Sequence, residues 1–383
     1  MQMMIKELGE IITGNTPSKK IERFWNSDDI CFVKPDIIAD NGITEIYESN
    51  EYISEEARQK ARVALKDAIL VTCIGSIGKI GITADGEYAF NQQINAIIPN
   101  EKVNSKYLAY NLLFNKPRLI AIANAPVVPI INKSQFGDFF VSIEENIDKQ
   151  VEIVKVLDKL TSIIEQRKNE LFTLDDLIRA RFVEMFGEEV YPVSTLIDLI
   201  CEGAGLSYGI VQPGDDGTGN MGVLRPVDIV DGKISEDSIK YIDRTIGDGF
   251  KKTELTGEEL LVTVRGTTGI TALTDDRFAG MNVTRGIAVI RYNFKKINPI
   301  YLNAYLNTDE SQRYIQEHTR GATLKQINLS DLRTQEIPVP PMEQQKEFAA
   351  FVLQVDKSKA VVQKSLEETQ LLFDSLMQKY FGD

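Results

Sequence analysis

The stretch ILVTCIGSIGKIGI at residues 69–82 returns as LLVTVRGTTGITAL at 260–273, 191 residues further along. A chain that carries the same strand, glycine turn and strand twice is constrained to fold as two copies of one unit, and such a repeat decides the architecture before any single element is assigned. At the same offset Gly14 meets Gly205, Lys34-Pro35 meets Arg225-Pro226, Val71-Thr72 meets Val262-Thr263, Gly75 meets Gly266, Gly78 meets Gly269 and Asn91 meets Asn282. The register then slips to 196, where Ile131-Asn132 meets Ile327-Asn328, and a helical segment ending MFG at 185–187 is echoed by YFG at 380–382. The predicted order is head, helix, head, helix.

Within each head the runs are short and alternating, punctuated by glycine: ILVTCIG, GKIGIT and NQQINAIIP, where Ile94, Ala96 and Ile98 share one strand face. The heads therefore read as mixed and largely β, with helices predicted at 54–65, 105–115 and 298–318. The segments that follow each head behave differently. From Ile153, the positions Leu157, Leu160, Ile164, Arg167, Leu171, Leu174 and Ile178 advance by alternating steps of four and three. From Phe348, the positions Val352, Val355, Lys359, Val362, Leu366, Thr369, Phe373, Leu376 and Tyr380 do the same. Both are heptad seams, and two such seams in one chain predict an antiparallel coiled coil, because a lone amphipathic helix would leave its stripe in water. The alternative is that each stripe packs on its own head. About 35 helical residues at roughly 1.5 Å each give a rod of about 50 Å, longer than one turn of B-DNA at roughly 34 Å, which suggests a bipartite target. The predicted class is α+β: two heads, at 1–144 and 188–342, joined by two long antiparallel helical spacers, at 145–187 and 343–383, as a pseudo-two-fold tandem repeat.

Composition narrows the chemistry. A chain of 383 residues suggests two or three domains. The single histidine, His318, removes most of the acid-base, nucleophilic and metal chemistry that recruits imidazole, so catalysis by this chain alone is not expected. Cys31, Cys73 and Cys201 are scattered without metal-ligand spacing and are expected to be buried free thiols. No run approaches 18 apolar residues, and the opening MQMMIKELGE lacks the basic and apolar parts of a signal peptide, so a cytoplasmic location is expected. The net charge is −13; residues 1–144 carry 15 basic and 18 acidic side chains, and 188–342 carry 16 and 22. Neither head is basic, which leaves room only for a local basic surface or a basic partner.

Two motif matches are refused. GTGNMG, with Gly217, Gly219 and Gly222, satisfies a dinucleotide-binding fingerprint by letter, yet Pro226 falls where a helix should begin; Asp215, Asp216 and Asn220 suggest a loop. NPIY at 298–301 is similar to an adenine-methyltransferase motif but opens a predicted helix, with Asn298 as cap and Pro299 in the first turn.

The segments GNTPSKKIERFW, ICFVKPDI, ILVTCIGSIGKIGI, FNQQINAIIP, RGATLKQINLSDL and IPVPPMEQQKEFAAFV, in this order and with the duplication, resemble the specificity (S) subunit of type I restriction-modification enzymes over essentially the whole chain. The resemblance implies two target-recognition domains, each followed by a helical spacer, in a chain that performs no chemistry and binds no cofactor. Such a subunit selects a double-stranded DNA sequence of two half-sites. Two modification subunits then methylate adenines with S-adenosylmethionine, and restriction subunits translocate and cut. The rivals are a protein-binding scaffold without DNA specificity and a self-contained DNA methyltransferase.

Base readout needs donors and acceptors in a groove, and phosphate contacts need Lys, Arg, hydroxyls or backbone N–H groups. In the first head the candidates are Thr16, Ser18, Lys19, Lys20, Lys34, Ser76, Lys79, Gln92 and Gln93. In the second they are Ser207, Tyr208, Arg225, Arg265, Thr267, Thr268, Thr284, Arg285, Arg320, Thr323, Lys325 and Gln326. Gly75, Gly78, Gly266 and Gly269 are expected to serve a tight turn, and the recurring Asn91 and Asn282 a cap or turn. In the 191 register Arg265 faces Ile74 and Arg285 faces Ile94, so these arginines are specific to one head. A head-specific arginine can bind guanine bidentately.

Overall fold

The computed structural model describes residues 1–123, 128–203, 206–214, 219–322 and 324–382. The chain forms two compact units, Met1–Lys168 with Lys364–Asp383, and Asn169–Gln363. Their boundaries fall inside two long helices, Ile147–Phe186 and Met342–Phe381, so each unit holds one head and part of both helices.

The first head is built on a five-stranded sheet in the order Gly9–Thr13, Ile94–Pro99, Ile69–Thr72, Ile80–Thr83, Ile43–Ile46, antiparallel except for the last pair. A second sheet runs Tyr52–Ile53, Ile30–Val33, Tyr88–Phe90, Val63–Ala64, with its central pair parallel. The second head repeats the cores of both. Leu260–Thr263 lies between Thr271–Leu273 and Ile287–Ile290, and Met221–Leu224 lies between Lys240–Ile242 and the parallel Asn282–Val283. The strands Ile69–Thr72 and Leu260–Thr263 are buried at every position, as expected for runs covered on both faces.

Two predicted helices are shorter than their sequence pattern. Residues 54–65 yield only Glu55–Arg58, because Val63–Ala64 is taken as a strand by Tyr88 and Ala89; tertiary pairing overrides local propensity. Residues 298–318 form two helices, Pro299–Leu306 and Asp309–Glu317. The break comes at Thr308, whose side chain caps the second helix by accepting the Ser311 N–H at 3.3 Å. Asn298 caps the first by accepting the Ile300 N–H at 2.9 Å, with Pro299 in its first turn.

Each long helix is clamped to its own head by a glutamine the sequence reading passed over. Gln150, fully buried, accepts the Asn104 N–H at 2.8 Å and donates to the Glu144 carbonyl at 2.6 Å. Gln345, also fully buried, accepts the Asn298 N–H at 2.8 Å and donates to the Pro340 carbonyl at 2.7 Å.

Within the first unit, Leu157, Leu160 and Ile164 are buried, and Phe373 and Leu376 are half-buried against the core that holds Leu157. Leu366 is half-buried on the same stripe. The Phe381 ring meets Tyr107 edge-on at 5.2 Å. Within the second unit, Val355 and Val362 are buried and Leu171, Leu174 and Ile178 half-buried. There Asp175 pairs with Lys359 at 2.5 Å and Arg181 with Glu347 at 3.1 Å, so the partner number falls as the first rises and the two helices run antiparallel. The fold is α+β, with two largely β domains on a coiled-coil pair.

The thiols are free, but only Cys73 is buried, where burial pushes its pKa up to about 12; Cys31 is half-buried and Cys201 exposed, its thiol donating to the Tyr292 carbonyl. Cys201 departs from expectation because it lies at the surface turn after Leu196–Leu199.

At one strand start the second head buries a carboxylate where the first has an alanine. Glu259 is fully buried and accepts the Thr256 N–H at 2.9 Å, the Gly257 N–H at 3.1 Å and Arg291 Nε at 3.3 Å. Burial alone would raise its pKa, but the hydrogen bonds from Thr256 and Thr274 and the Arg291 charge together hold it below the usual glutamate value. Ala68 takes this place in the first head: the Thr83 N–H bonds to its carbonyl as the Thr274 N–H bonds to that of Glu259. A depressed folded pKa gives stability above the ordinary glutamate range that disappears as pH falls through the lowered value. Urea unfolding should show Glu259→Gln less stable by about 3 kcal/mol at neutral pH, with the gap narrowing as pH falls below the ordinary glutamate range. A gap that is constant with pH would contradict this.

Candidate nucleic-acid interface

The glycine turn is built alike in both heads. Thr72 donates its hydroxyl to the Ser76 carbonyl and accepts the Lys79 N–H at 3.0 Å; Thr263 accepts the Ile270 N–H at 2.9 Å. Gly75 and Gly78 lie at φ +77° and +76°, and Gly266 and Gly269 at +80° and +91°. That left-handed backbone is costly for any residue with a Cβ, which accounts for the repeated glycines without a ligand.

Beyond the turn the two heads depart from a constant offset. Thr72 pairs with Ile94, whereas Thr263 pairs with Ile287. Val33 pairs with Phe90, whereas Leu224 pairs with Val283. The Asn91 and Thr284 N–H groups bond to the carbonyls of Val33 and Leu224 at 3.1 and 2.9 Å. Thr284, not Asn282, therefore stands where Asn91 stands, and Arg285 stands at Gln92 rather than at Ile94. The cause is an extra 3-10 turn, Asp276–Phe278, capped by Asp275 and anchored by the buried Phe278. Gly14 likewise matches Gly209, since an added Cβ would fall 2.2 Å from the Asn91 carbonyl oxygen in one case and 1.9 Å from that of Val283 in the other. Gly205 lies outside the described residues, as do Asp215, Asp216, Gly217 and Thr323.

Both asparagines are held internally. Asn91 Oδ1 accepts the Gln93 N–H at 3.0 Å, and Asn282 Oδ1 accepts the Thr253 hydroxyl at 2.7 Å.

At the open end of the second head's sheet, cations gather. The Val264 N–H bonds to the Gly286 carbonyl at 2.7 Å, and Arg265 and Arg285 are the next residues outward from that pair. Arg265 bridges to Gln326, and Gln326 pairs with Arg320 in the ribbon Thr319–Arg320 with Gln326–Ile327. Residues opposed in antiparallel strands share a face, so Arg265, Gln326 and Arg320 form one transverse row. The Lys325 carbonyl accepts the Gly266 N–H at 2.8 Å, and Gln326 Nε2 donates to the Tyr208 hydroxyl at 3.5 Å. Arg285, Arg320, Lys325 and Tyr208 are exposed; Arg265 is half-buried, and its Nε is buried without a hydrogen-bond partner. Among the described residues, the one ion pair found in this group is Arg320 with Asp331 at 3.8 Å. Like charges gathered across strands are destabilising unless an anion or an electron-rich edge answers them.

Among the described residues, the matching positions of the first head are neutral. Ile74 takes the place of Arg265 and bridges to Ile130, and the Gly75 N–H bonds to the Pro129 carbonyl at 2.9 Å. Gln92, exposed, takes the place of Arg285, and its Oε1 accepts the Thr16 hydroxyl at 2.7 Å. Ile130 keeps 40% of its surface exposed.

The remaining candidates sit closer to the scaffold. Lys34 pairs with Glu51 at 2.5 Å, a hydrogen bond that raises it above the usual lysine value, and its twin Arg225 pairs with the buried Asp228 at 3.1 Å. Lys79 pairs with Asp40 at 3.0 Å. Lys19 pairs with Glu51 at 3.2 Å and lies over Trp25 at 5.0 Å; the Ser18 carbonyl accepts the Trp25 Nε1–H, and Lys20 is exposed. Ser76 and Thr267 are exposed at the two turns, Gln93 accepts from Asn91 Nδ2, Thr268 hydrogen-bonds Thr319 at 3.0 Å, Thr284 is buried and Ser207 half-buried. His318 stacks on Tyr314 at 4.0 Å and its Nδ1 lies 2.8 Å from the Tyr314 carbonyl, a helix-end contact. Among the described residues no cluster of three His, Cys, Asp or Glu side chains is placed to hold a metal, and no helix is long and apolar enough to cross a membrane.

The sequence profile described as type I restriction modification DNA specificity domain matches residues 1–173 and 218–370. The chain is 28% identical over 180 residues to the type I restriction enzyme EcoBI specificity subunit of Escherichia coli, a stretch that covers 46% of this chain and 38% of that protein. It thus spans under half the length of that relative. It is 23% identical over 341 residues, 84% of this chain and 78% of the relative, to the putative type I restriction enzyme MjaX specificity subunit of Methanocaldococcus jannaschii. The crystal structure of the S subunit of a type I restriction-modification system from M. genitalium covers 100% of this chain and 96% of its own at TM-score 0.57 and 13% identity, a likeness of fold.

The two glycine positions separate turn geometry from crowding. Gly266→Ala, with no atom within 4 Å of the new Cβ, should lower stability by about 1 kcal/mol, whereas Gly209→Ala, against the Val283 carbonyl, should cost about 3 kcal/mol or more in the same denaturant titration. Equal costs would contradict the close approach of Gly209 to the Val283 carbonyl.

Proposed function

The chain belongs to the family defined by the type I restriction modification DNA specificity domain, and on that premise we propose that it is the sequence-reading subunit of a type I restriction-modification complex. In this reading 1–144 and 188–342 are target-recognition domains, each taking one half of a bipartite, asymmetric duplex site. Segments 145–187 and 343–383 are spacers that set the separation. The observation that carries it is the pair of tips, alike in backbone and unlike in chemistry: Arg265, Arg285, Arg320 and Gln326 on one, Ile74, Gln92 and Ile130 on the other. A chain holding two copies of one partner protein would have no need for such divergence on a duplicated scaffold.

The exposed cations and amides at the tips contact bases and phosphates, while Lys34 and Arg225, neutralised by their own heads, hold the loops in shape. Two modification subunits bring S-adenosylmethionine and methylate adenines at the selected site, restriction subunits join that complex, and the work takes place in the cytoplasm. The chain contributes selection and positioning, with no bond made or broken on it.

Because the net charge is −13, most phosphate neutralisation falls to the partners. In a mobility-shift titration the chain alone should bind duplex poorly above low salt and tighten by about 100-fold or more with its modification subunit. Equal affinity with and without the partner would contradict this.

A further inference from the structure

Arg265 and Arg285 flank the same hydrogen-bonded pair and have no carboxylate within ion-pair distance among the described residues. Their counterparts in the first head are Ile74 and Gln92. A guanidinium forks onto the O6 and N7 acceptors of guanine, a glutamine amide onto N6 and N7 of adenine, and an aliphatic side chain onto the thymine methyl. Resting on the proposed DNA reading, we infer that the two heads select opposite base classes at the matching position of their half-sites. The second head takes a G·C pair through Arg265 and Arg285, and the first takes an A·T pair through Gln92, Ile74 and Ile130.

The geometry supports base contact over phosphate contact in two ways. Arg265 is half-buried with its Nε shut away from water, which restricts how far its fork can swing; a restricted fork suits a planar acceptor pair better than a mobile phosphate oxygen. In the first head the Thr16 hydroxyl fixes Gln92 Oε1 at 2.7 Å, which leaves Nε2 to donate to adenine N7 and one lone pair of Oε1 to accept from N6. The neighbouring Ile130, 40% exposed at the tip, presents carbon to a methyl group. A tip of this kind disfavours guanine, because with Nε2 on N7 the Gln92 Oε1 would meet O6, acceptor against acceptor.

The test is the sequence around methylated adenines in a host that carries the chain with its modification subunit, compared across variants. The wild type should give two half-sites, one with guanine at a fixed position and the other with an A·T pair. Arg285→Gln and Arg285→Lys should each relax the guanine position by about tenfold or more and leave the other half-site unchanged. Gln92→Ala should relax only the A·T position. Lysine keeps the charge and loses the fork, so an Arg285→Lys variant with wild-type selectivity and lowered methylation everywhere shows a phosphate contact and overturns the inference. So does a half-site specified by A·T alone that follows the second head's variants. Loss of any defined sequence in the wild type would instead sink the DNA-reading role itself, a separate outcome.

Discussion

The buried ends of the two long helices are what each folded unit depends on. In the first unit Phe381, from the last turn of the second helix, sits against Tyr107 and Phe114, while Val154 and Leu157, from the start of the first helix, share its core. In the second unit Phe348, from the start of the second helix, meets Phe182 and Phe186 at 5.4 and 5.6 Å, and Phe186 meets Tyr301 at 5.0 Å. Burying a phenylalanine contributes about 2–3 kcal/mol, and here residues far apart in sequence supply it to one core. The first unit is not one stretch of chain, since it takes Lys364–Asp383 from the end of the second helix, whereas the second, Asn169–Gln363, is continuous and takes the end of the first helix and the start of the second. The buried glutamines, Gln150 and Gln345, then fix helix direction through the capped turns at Asn104 and Asn298.

That constraint separates two kinds of charge. The cations that recur in both heads, Lys34 and Arg225, are each answered by a carboxylate of the same head, Glu51 or Asp228, so they shape loops and spend little on solvent. The cations that occur in one head only, Arg265, Arg285 and Lys325, stand at the sheet's open end without such partners among the described residues. The charges common to both heads are paired, and Arg265, Arg285 and Lys325, proposed to face DNA, are left open, which is how an acidic chain can still present a basic face locally.

Much of this was legible in the residues. The 3.5-residue spacing gave both long helices, because a stripe that must be buried repeats strictly, and the glycines gave the paired turns, because glycine adopts their left-handed backbone at least cost. The exact correspondence of the heads was not legible. Asn91 and Asn282 match by letter at a constant offset, yet the extra turn at Asp276–Phe278 moves Thr284 into the place of Asn91. Gly14 finds its counterpart at Gly209 through a close backbone approach that leaves no trace in local sequence. The row joining Arg265 to Gln326 and Arg320 is a cross-strand pairing over more than 50 residues of chain, visible only once the ladders are known. Gln150 and Gln345 were missed because a polar residue at a helix start reads as solvent-facing unless its burial is seen.

The central claim is that two heads of one backbone each read DNA at a separate place. Hydroxyl-radical footprinting of the partner-loaded complex on host DNA tests it most directly. Two protected stretches at a defined sequence, with Arg285→Gln weakening protection of one alone, is the predicted result. Protection without a defined sequence, or a single stretch lost as a whole in that variant, would contradict the account.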